Sequence, residues 1–278
     1  HLDQVGAPVV VLRYVTRAES RDLAELGVKP ESAFPVPSLM SHFNRDAQVV
    51  VPAYLVDSTY SRYFSGGRRT VGYSSIQEAV TMVTQRVLEA SEPTFTYIYF
   101  PQVDNLAHLH GMTRPEVREA LMGVDAAMAR LHTELGGKGR IVITADHGLK
   151  DTPVSARHTL RPSRELLPLL RFPPSGDARV MYLHLHDWAR DRVRRHFQRK
   201  FGDRFHLITV DEADALRLFG QEPLSAETRN RMGDLVSISA GADMLEYHGE
   251  RGPGYSVKLN CHHSGLTPEE MLVPLAIA

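Results

Sequence analysis

The chain has 278 residues, 42% of them hydrophobic, which is enough for a sizeable core in one large α/β domain or in a domain with an insertion. Lys and Arg number 32 and Asp and Glu 33, so there is no basic field for nucleic acid or for a membrane surface. No apolar run is long enough to span a membrane. The single cysteine, Cys261, excludes an internal disulfide framework and a thiolate zinc cluster, so any metal must be held by carboxylates and histidines.

The first third of the chain alternates short elements with turns. The sequence predicts, in order, a buried strand at 7–15, a short helix at 17–26, a helical stretch at 38–43, a strand at 48–51, a polar loop at 57–73 and an amphipathic helix at 74–90.

The middle of the chain predicts two strands joined by one helix. The strands are Thr94–Phe100 and Arg140–Thr144, both rich in residues that favour β-structure. Between them, Thr113-Arg-Pro-Glu116 has the pattern of a capping box, and Gly136-Gly137 is typical of a helix end. The helix is indicated by apolar residues spaced three or four apart: Val117, Leu121, Val124, Met128, Leu131 and Leu135. This βαβ pattern predicts neighbouring parallel strands.

One Asp/His pair follows each of these strands. Asp104 and His108 come after the first, and Asp146 and His147, followed by Gly148, come after the second. Open α/β sheets bind ligands at the carboxyl ends of their strands, so the pairs are expected to meet at one edge. Asp and His without Cys suit Zn²⁺ or another divalent transition metal better than Ca²⁺ or Mg²⁺.

The last third predicts a small α+β lobe, assigned to residues 177–245, as an insertion or a peripheral part of one domain covering 1–278. Its elements are a strand at 178–185, a very basic helix at 187–201, a strand at 205–210 and a helix at 211–218 capped by Asp211. Further extended segments are predicted at 235–239, 256–259 and 271–277.

A third group of candidate ligands lies near the carboxyl end. His262 and His263 precede a helix start in which Thr267 is the cap and Glu270 the third helical residue. Together with Asp104 and His108, one of the two histidines would give three protein ligands and an open coordination position, the pattern of a catalytic metal.

A second ion would be held by Asp146 and His147 with one more carboxylate. Two ions a few ångströms apart stabilise the attacking and leaving oxygens of a phosphoryl displacement. Each motif alone is weak, because an Asp-x-x-x-His pair is often a helix-face hydrogen bond and Asp-His-Gly is often a turn. The alternative is an ordinary α/β domain whose Asp/His pairs are structural.

Taken together, the motifs resemble those of the alkaline phosphatase superfamily, and most closely its type I phosphodiesterase/nucleotide pyrophosphatase branch. The residues that carry the resemblance are Asp104-x-x-x-His108-x-His-Gly111, Thr144-Ala-Asp-His-Gly148, Arg231-Met-Gly-Asp-Leu-Val236 and His263-Ser-Gly-Leu-Thr-Pro-Glu-Glu-Met-Leu-Val-Pro274. The resemblance implies a three-layer α/β fold with a mostly parallel central sheet, helices on both faces and a small α+β lobe.

The resemblance also implies two divalent metal ions, most simply zinc. Asp104, His108 and His263 would hold one ion, and Asp146 and His147 the other. The implied activity is hydrolysis of a phosphodiester or pyrophosphate bond in a small phosphate ester or nucleotide, through a covalent phospho-enzyme.

The family's Asp-Gly strand end and its Thr or Ser nucleophile have no counterpart here. The catalytic nucleophile is therefore unassigned, and we expect a missing amino-terminal segment to pack on the sheet and this chain alone to be nearly inactive. Alternatives are a phosphomonoesterase, phosphonate hydrolase, mutase or sulfatase of the same superfamily, or a metal-binding domain without catalytic activity. The sequence leaves the compartment and the oligomeric state open.

Overall fold

A computed structural model describes residues 2–160, 165–247 and 259–278, which form an α/β fold with mixed sheets. Its strands are β1 (Val9–Val10), β2 (Val15–Thr16), β3 (Asp46–Pro52), β4 (Arg69–Tyr73), β5 (Thr94–Ile98), β6 (Val142–Thr144), β7 (Lys150–Asp151), β8 (Arg157–Leu160), β9 (Ser175–Gly176), β10 (Val180–Leu183), β11 (Phe205–Thr209), β12 (Leu235–Ser239), β13 (Met244–Tyr247), β14 (Cys261–His262) and β15 (Leu275–Ile277). Its α-helices are α1 (Pro30–Ala33), α2 (Thr59–Ser65), α3 (Ile76–Glu89), α4 (Gln102–His110), α5 (Pro115–Leu135), α6 (Arg190–Phe201), α7 (Val210–Ala215), α8 (Ala226–Met232) and α9 (Pro268–Met271). Among the described residues, no helix combines the length and apolar character needed to cross a bilayer.

The chain divides into two compact units. The amino-terminal unit contains Leu2–Leu106, Thr113–Thr144 and Leu275–Ala278. The carboxyl-terminal unit contains Ala107–Met112 and Ala145–Pro274.

The amino-terminal unit is built on a parallel sheet with the strand order β4-β3-β5. The central strand β3 is buried from Ala47 to Pro52, because it is paired on both edges and covered by side chains on its faces. Val50 packs with the apolar stripes of α3 and α5, where Val80, Val83 and Leu131 are all buried. The predicted strand at 48–51 and the helix at 74–90 are confirmed, with Ser75 as the helix cap.

The predicted pairing of the two middle strands is wrong. In the part of the chain that the structure describes, β5 pairs with β3, and β6 pairs antiparallel with the carboxyl-terminal strand β15. The helix between them is confirmed as α5 with its left-handed cap at Gly136, but it starts one residue later than predicted, with Arg114 as cap and Pro115 at the first helical position. Leu121, a member of the predicted stripe, is 57% exposed.

Three predictions in the first 73 residues are also wrong. The predicted strand at 7–15 is a hairpin of β1 and β2, because Tyr14 takes a positive φ of 56° that interrupts an extended backbone. The predicted helix at 17–26 forms turns and a short bridge. The predicted polar loop at 57–73 contains α2 and β4, and α2 is closed by a Ser58 cap and a left-handed Gly66, both recognisable helix boundaries.

The carboxyl-terminal unit contains an antiparallel sheet with the order β11-β12-β10-β9. Helix α6 packs on this sheet through Val193, Phe197 and Phe201, which join Leu183 and Leu235 in one apolar cluster. The predicted strands and helices of the lobe are present, but α7 is capped by Thr209 rather than by Asp211.

Two shorter strand pairs complete this unit. Strand β13 pairs with β8 in parallel, and β14 pairs with β7 antiparallel, so that His262 lies opposite Lys150. The strand predicted at 256–259 lies almost entirely outside the described residues.

Candidate metal centre

Helix α4 positions the first pair of candidate ligands. Asp104 and His108 are separated by one helical turn and therefore lie on the same face of α4. Three residues separate the end of β5 at Ile98 from the start of α4 at Gln102, and helix geometry sets the spacing of Asp104 and His108.

The segment after β14 positions the third candidate ligand. The His108 backbone carbonyl accepts a hydrogen bond from the Asn260 amide at 2.7 Å, and the His108 ring lies 5.2 Å from the His263 ring between centroids. Asn260 also donates from its side chain to the Leu109 carbonyl at 2.7 Å. These contacts hold the carboxyl-terminal segment against the last turn of α4.

Asp104, His108 and His263 form a group with the spacing of metal ligands. Each offers one ligand atom, and these atoms lie within 4.8 Å of one another. All three side chains are half-buried, so they are accessible to an ion while partly shielded from water. Of the two neighbouring histidines that the sequence offered, His263 belongs to this group.

His147 lies beside this group. Its ring stacks on the His263 ring at 3.8 Å between centroids and 17° between planes. Asp146 is close to His147, with its Oδ2 3.6 Å from the ring Nε2, and its side chain is 75% exposed. Among the described residues, Asp146 and His147 do not form a second three-residue group. The structure therefore brings His108, His147 and His263 together and leaves Asp146 at the exposed side of His147.

Hydrogen bonds orient two of the histidine rings. His108 Nδ1 donates to the Cys261 carbonyl at 2.7 Å, and His147 Nδ1 donates to the Gly148 carbonyl at 2.9 Å. A ring that donates from Nδ1 carries its lone pair on Nε2, which is the usual arrangement of a histidine that ligates a metal. The donor set and its tautomers therefore fit a divalent transition metal.

His262 is buried next to this group and is held neutral. Burial lowers the pKa of His262 to about 4, because a charged imidazole would lose its hydration there. Its ring lies edge-on to the ring of His108 at 6.1 Å between centroids. Neutral imidazole rings are compatible with a cation at this place, whereas imidazolium rings would repel it.

No sequence pattern pointed to Arg179, and Glu270 was predicted only as a helix-cap residue. The two side chains form a buried ion pair, with Arg179 Nε 2.5 Å from Glu270 Oε1. They are 91 positions apart, and neither lies in a local pattern that predicts the contact.

Ser38 is placed as a structural residue. It caps the short 3₁₀ turn Leu39–His42 by accepting from the Met40 amide, and its hydroxyl donates to the Phe64 carbonyl.

The family of the chain follows from sequence comparison. The profile of the type I phosphodiesterase / nucleotide pyrophosphatase family matches residues 10–243, which is more than three quarters of the chain. This chain belongs to that family. The match covers Asp104, His108, Asp146 and His147, and it ends before His263.

Solved structures of the same family and superfamily have the same fold. Murine ectonucleotide pyrophosphatase/phosphodiesterase 5, in an inactive form in complex with AMP, aligns over 85% of this chain with a TM-score of 0.56 and 13% identity. Phosphonoacetate hydrolase from Sinorhizobium meliloti, in complex with phosphonoacetate, aligns over 84% with a TM-score of 0.59 and 17% identity. The predicted α/β class and alkaline phosphatase superfamily are confirmed.

The chain spans only part of these proteins. It covers 61% of the murine structure and 65% of the hydrolase. The human GPI ethanolamine phosphate transferase 2 catalytic subunit is 24% identical over 87 residues, which are 9% of its own length.

Proposed function

We propose that the protein is a metal-dependent hydrolase of phosphodiester or pyrophosphate bonds in a small phosphate ester or nucleotide. The observation that carries the proposal is the grouping of Asp104, His108 and His263 within 4.8 Å in a member of this family. The murine relative holds AMP, a nucleotide, and the bacterial hydrolase holds a phosphonate, which supports a small phosphorus-containing substrate.

The residues proposed to hold metal divide into two sets. Asp104, His108 and His263 would bind one divalent ion, most simply Zn²⁺, and Asp146 and His147 would contribute to a second ion. The exposed Asp146 carboxylate and the oriented His147 ring support this second assignment. Bound there, divalent ions supply Lewis-acid stabilisation of the negative charge on the phosphate oxygens.

Exposed apolar side chains on the amino-terminal unit suggest that a further segment of chain, amino-terminal to this one, covers them. Val142 on β6 and Leu275 and Ile277 on β15 are 58%, 70% and 65% exposed, which is unusual for apolar residues of paired strands. We propose that an amino-terminal segment carrying the nucleophile covers this face. In a longer form of the protein, amide hydrogen exchange of β6 and β15 should be slower than in this chain, and equal exchange would contradict the assignment.

The function is tested by metal content and hydrolysis together. The purified chain, dialysed against Zn²⁺, is expected to retain about one ion, as three protein ligands suffice for a bound zinc. A longer form of the protein should hydrolyse an aryl phosphodiester, and chelation should abolish that activity. Activity that survives complete metal removal would overturn the mechanism.

Metal binding without hydrolysis would support a different class of protein. If the longer form binds metal but hydrolyses neither an aryl phosphodiester nor a nucleotide, a metal-binding domain without catalytic activity becomes the better assignment.

A further inference from the structure

A buried ion pair in the carboxyl-terminal unit lies between the two loops that carry His147 and His263. Arg179 and Glu270 are 1% and 2% exposed. Two parallel hydrogen bonds join them, from Arg179 Nε to Glu270 Oε1 at 2.5 Å and from Nη2 to Oε2 at 2.7 Å. This is the bidentate geometry in which a guanidinium group matches a carboxylate.

All five guanidinium N–H groups of Arg179 have acceptors. Besides the two bonds to Glu270, Nη1 donates to Ser239 Oγ at 3.1 Å and to the Asp243 carbonyl at 3.0 Å, and Nη2 donates to the Gly241 carbonyl at 2.7 Å. A fully satisfied guanidinium group has one orientation, so Arg179 fixes the Glu270 carboxylate against the end of β12 and the start of β13.

Glu270 in turn holds the two loops that carry candidate ligands. Its Oε1 accepts the Gly265 amide at 2.8 Å, two residues after His263. Its backbone carbonyl accepts the Gly148 amide at 2.7 Å, one residue after His147. One residue therefore contacts both segments whose histidine rings stack on each other.

The two glycines leave no space between these segments. A Cβ on Gly148 would lie 2.0 Å from the Glu269 carbonyl oxygen. A Cβ on Gly265 would lie 2.5 Å from Glu270 Oε2 and 2.9 Å from Arg179 Nη2. The backbones of the two loops pack directly against the Glu269–Glu270 segment, with no room for a side chain at either glycine. A shift of Glu270 would therefore move both loops.

We propose that Arg179 and Glu270 are a positioning pair that sets the separation of His147 and His263 for cation binding. Neither side chain belongs to the group of candidate ligands, so they act through the backbones of the two loops. Apolar residues can often replace a buried ion pair without loss of stability. The role assigned to Arg179 and Glu270 is therefore to position the two histidine loops rather than to stabilise the fold. The inference rests on the proposed metal centre.

The test measures Co²⁺ binding to the purified chain by its visible absorption spectrum, which reports both affinity and coordination geometry. Arg179→Lys keeps the charge but removes the bidentate contact. The double substitution Arg179→Met with Glu270→Leu removes both charges and leaves no unpaired buried ion. We expect each to raise the dissociation constant for Co²⁺ by about 10-fold or more and to alter the spectrum, because residues that orient metal ligands typically have effects of this size.

Two control variants separate positioning from general stability. Arg171→Lys alters a second Arg–carboxylate pair of the same unit, with Asp234 at 3.2 Å, and should change the dissociation constant by less than about 2-fold. Val193→Ala removes buried apolar volume from the core of the unit and should lower the melting temperature without changing Co²⁺ affinity.

A folded double variant with the parent's affinity and spectrum would overturn the positioning role and leave the metal centre intact. Co²⁺ binding that falls equally in Val193→Ala would also overturn it, because stability alone would then explain the loss. If the parent chain itself binds no Co²⁺, the proposed metal centre fails, and the positioning role fails with it.

Discussion

The candidate ligands are positioned in two different ways in two regions of the molecule. Asp104 and His108 are held by one turn of α4, a local geometry that the chain adopts within nine consecutive residues. His147 and His263 are 116 positions apart and are brought together by tertiary contacts, namely the pairing of β7 with β14 and the contacts of Gly148 and Gly265 with Glu270. The comparison shows that one half of the site depends on local structure, whereas the other half depends on tertiary packing.

The largest expected effect comes from separating the two loops. Gly148→Ala places a methyl group against the Glu269 carbonyl, so the backbone must shift, and we expect a loss of about 3 kcal/mol in the free energy of unfolding. Urea denaturation measures this change. Gly123→Ala in α5 is the matched control, because nothing lies within 4 Å of its added Cβ, and it should stabilise the chain by about 0.5–1 kcal/mol. Equal stability of Gly148→Ala and the parent would show that the loops are not tightly packed.

Removing a ligand from the helix should weaken metal binding without comparable unfolding. His108→Ala is expected to raise the dissociation constant for Zn²⁺ by about 100-fold or more, since it removes a direct ligand rather than an orienting residue. Isothermal titration calorimetry provides the measurement. His110→Ala on the same helix is the control, because His110 is exposed and lies outside the ligand group. Similar losses in both variants would remove the case for a specific site.

The Glu270 carboxylate should make stability depend on acid pH. Burial raises its pKa, but the hydrogen bonds from Arg179 and Thr267 outweigh burial, and the net pKa lies below the ordinary value. A lowered folded-state pKa contributes stability above the unfolded pKa of about 4.5, and this contribution is lost as the pH falls through the folded pKa. The difference in unfolding free energy between the parent and Glu270→Gln should therefore be largest above about pH 5 and shrink towards pH 3.

Glu269 provides the matched control for this pH dependence. Hydrogen bonding from Lys150 lowers the pKa of Glu269 to about 2, but its side chain is 56% exposed in that ion pair. Salt screens an exposed pair much more than a buried one. The effect of Glu269→Gln should largely disappear at about 0.5 M NaCl, whereas the effect of Glu270→Gln should persist. Equal salt sensitivity would indicate that water reaches the Arg179–Glu270 pair.

The smallest effect is expected on the exposed face of α4. Asn105→Ala replaces a residue of low helix propensity and should stabilise the chain by about 0.5 kcal/mol, with Zn²⁺ affinity unchanged. Thermal unfolding and calorimetric titration measure the two quantities. A change in affinity above about 3-fold, or roughly 0.7 kcal/mol, would show that the helix half also depends on contacts beyond α4.

Some features of the fold were predictable because their causes are local. The helices α3 and α5 follow from apolar residues spaced three or four apart, and the turn at Gly136 follows from the freedom of glycine to adopt a positive φ. Four of the candidate ligands could also be identified from the sequence, because Asp104 with His108 and Asp146 with His147 form short motifs after strands. The family resemblance added His263 to these motifs.

Other features could not be read from local patterns. Strand β6 pairs with β15 rather than with β5, and this pairing depends on residues more than 100 positions away. The Arg179–Glu270 contact has no sequence pattern at all, since a buried ion pair is favourable only after the surrounding acceptors have been assembled.

By itself, the sequence determined the class of fold, the main helices, the family and the set of residues with suitable chemistry, because periodicity, caps and short motifs act over a few residues. The family resemblance named His263, but only the tertiary structure brings it within ligand distance of Asp104 and His108 and puts Glu270 in contact with both ligand loops. The physical reason is that the distance between side chains far apart in sequence is set by close packing and by hydrogen bonds that exist only in the folded chain.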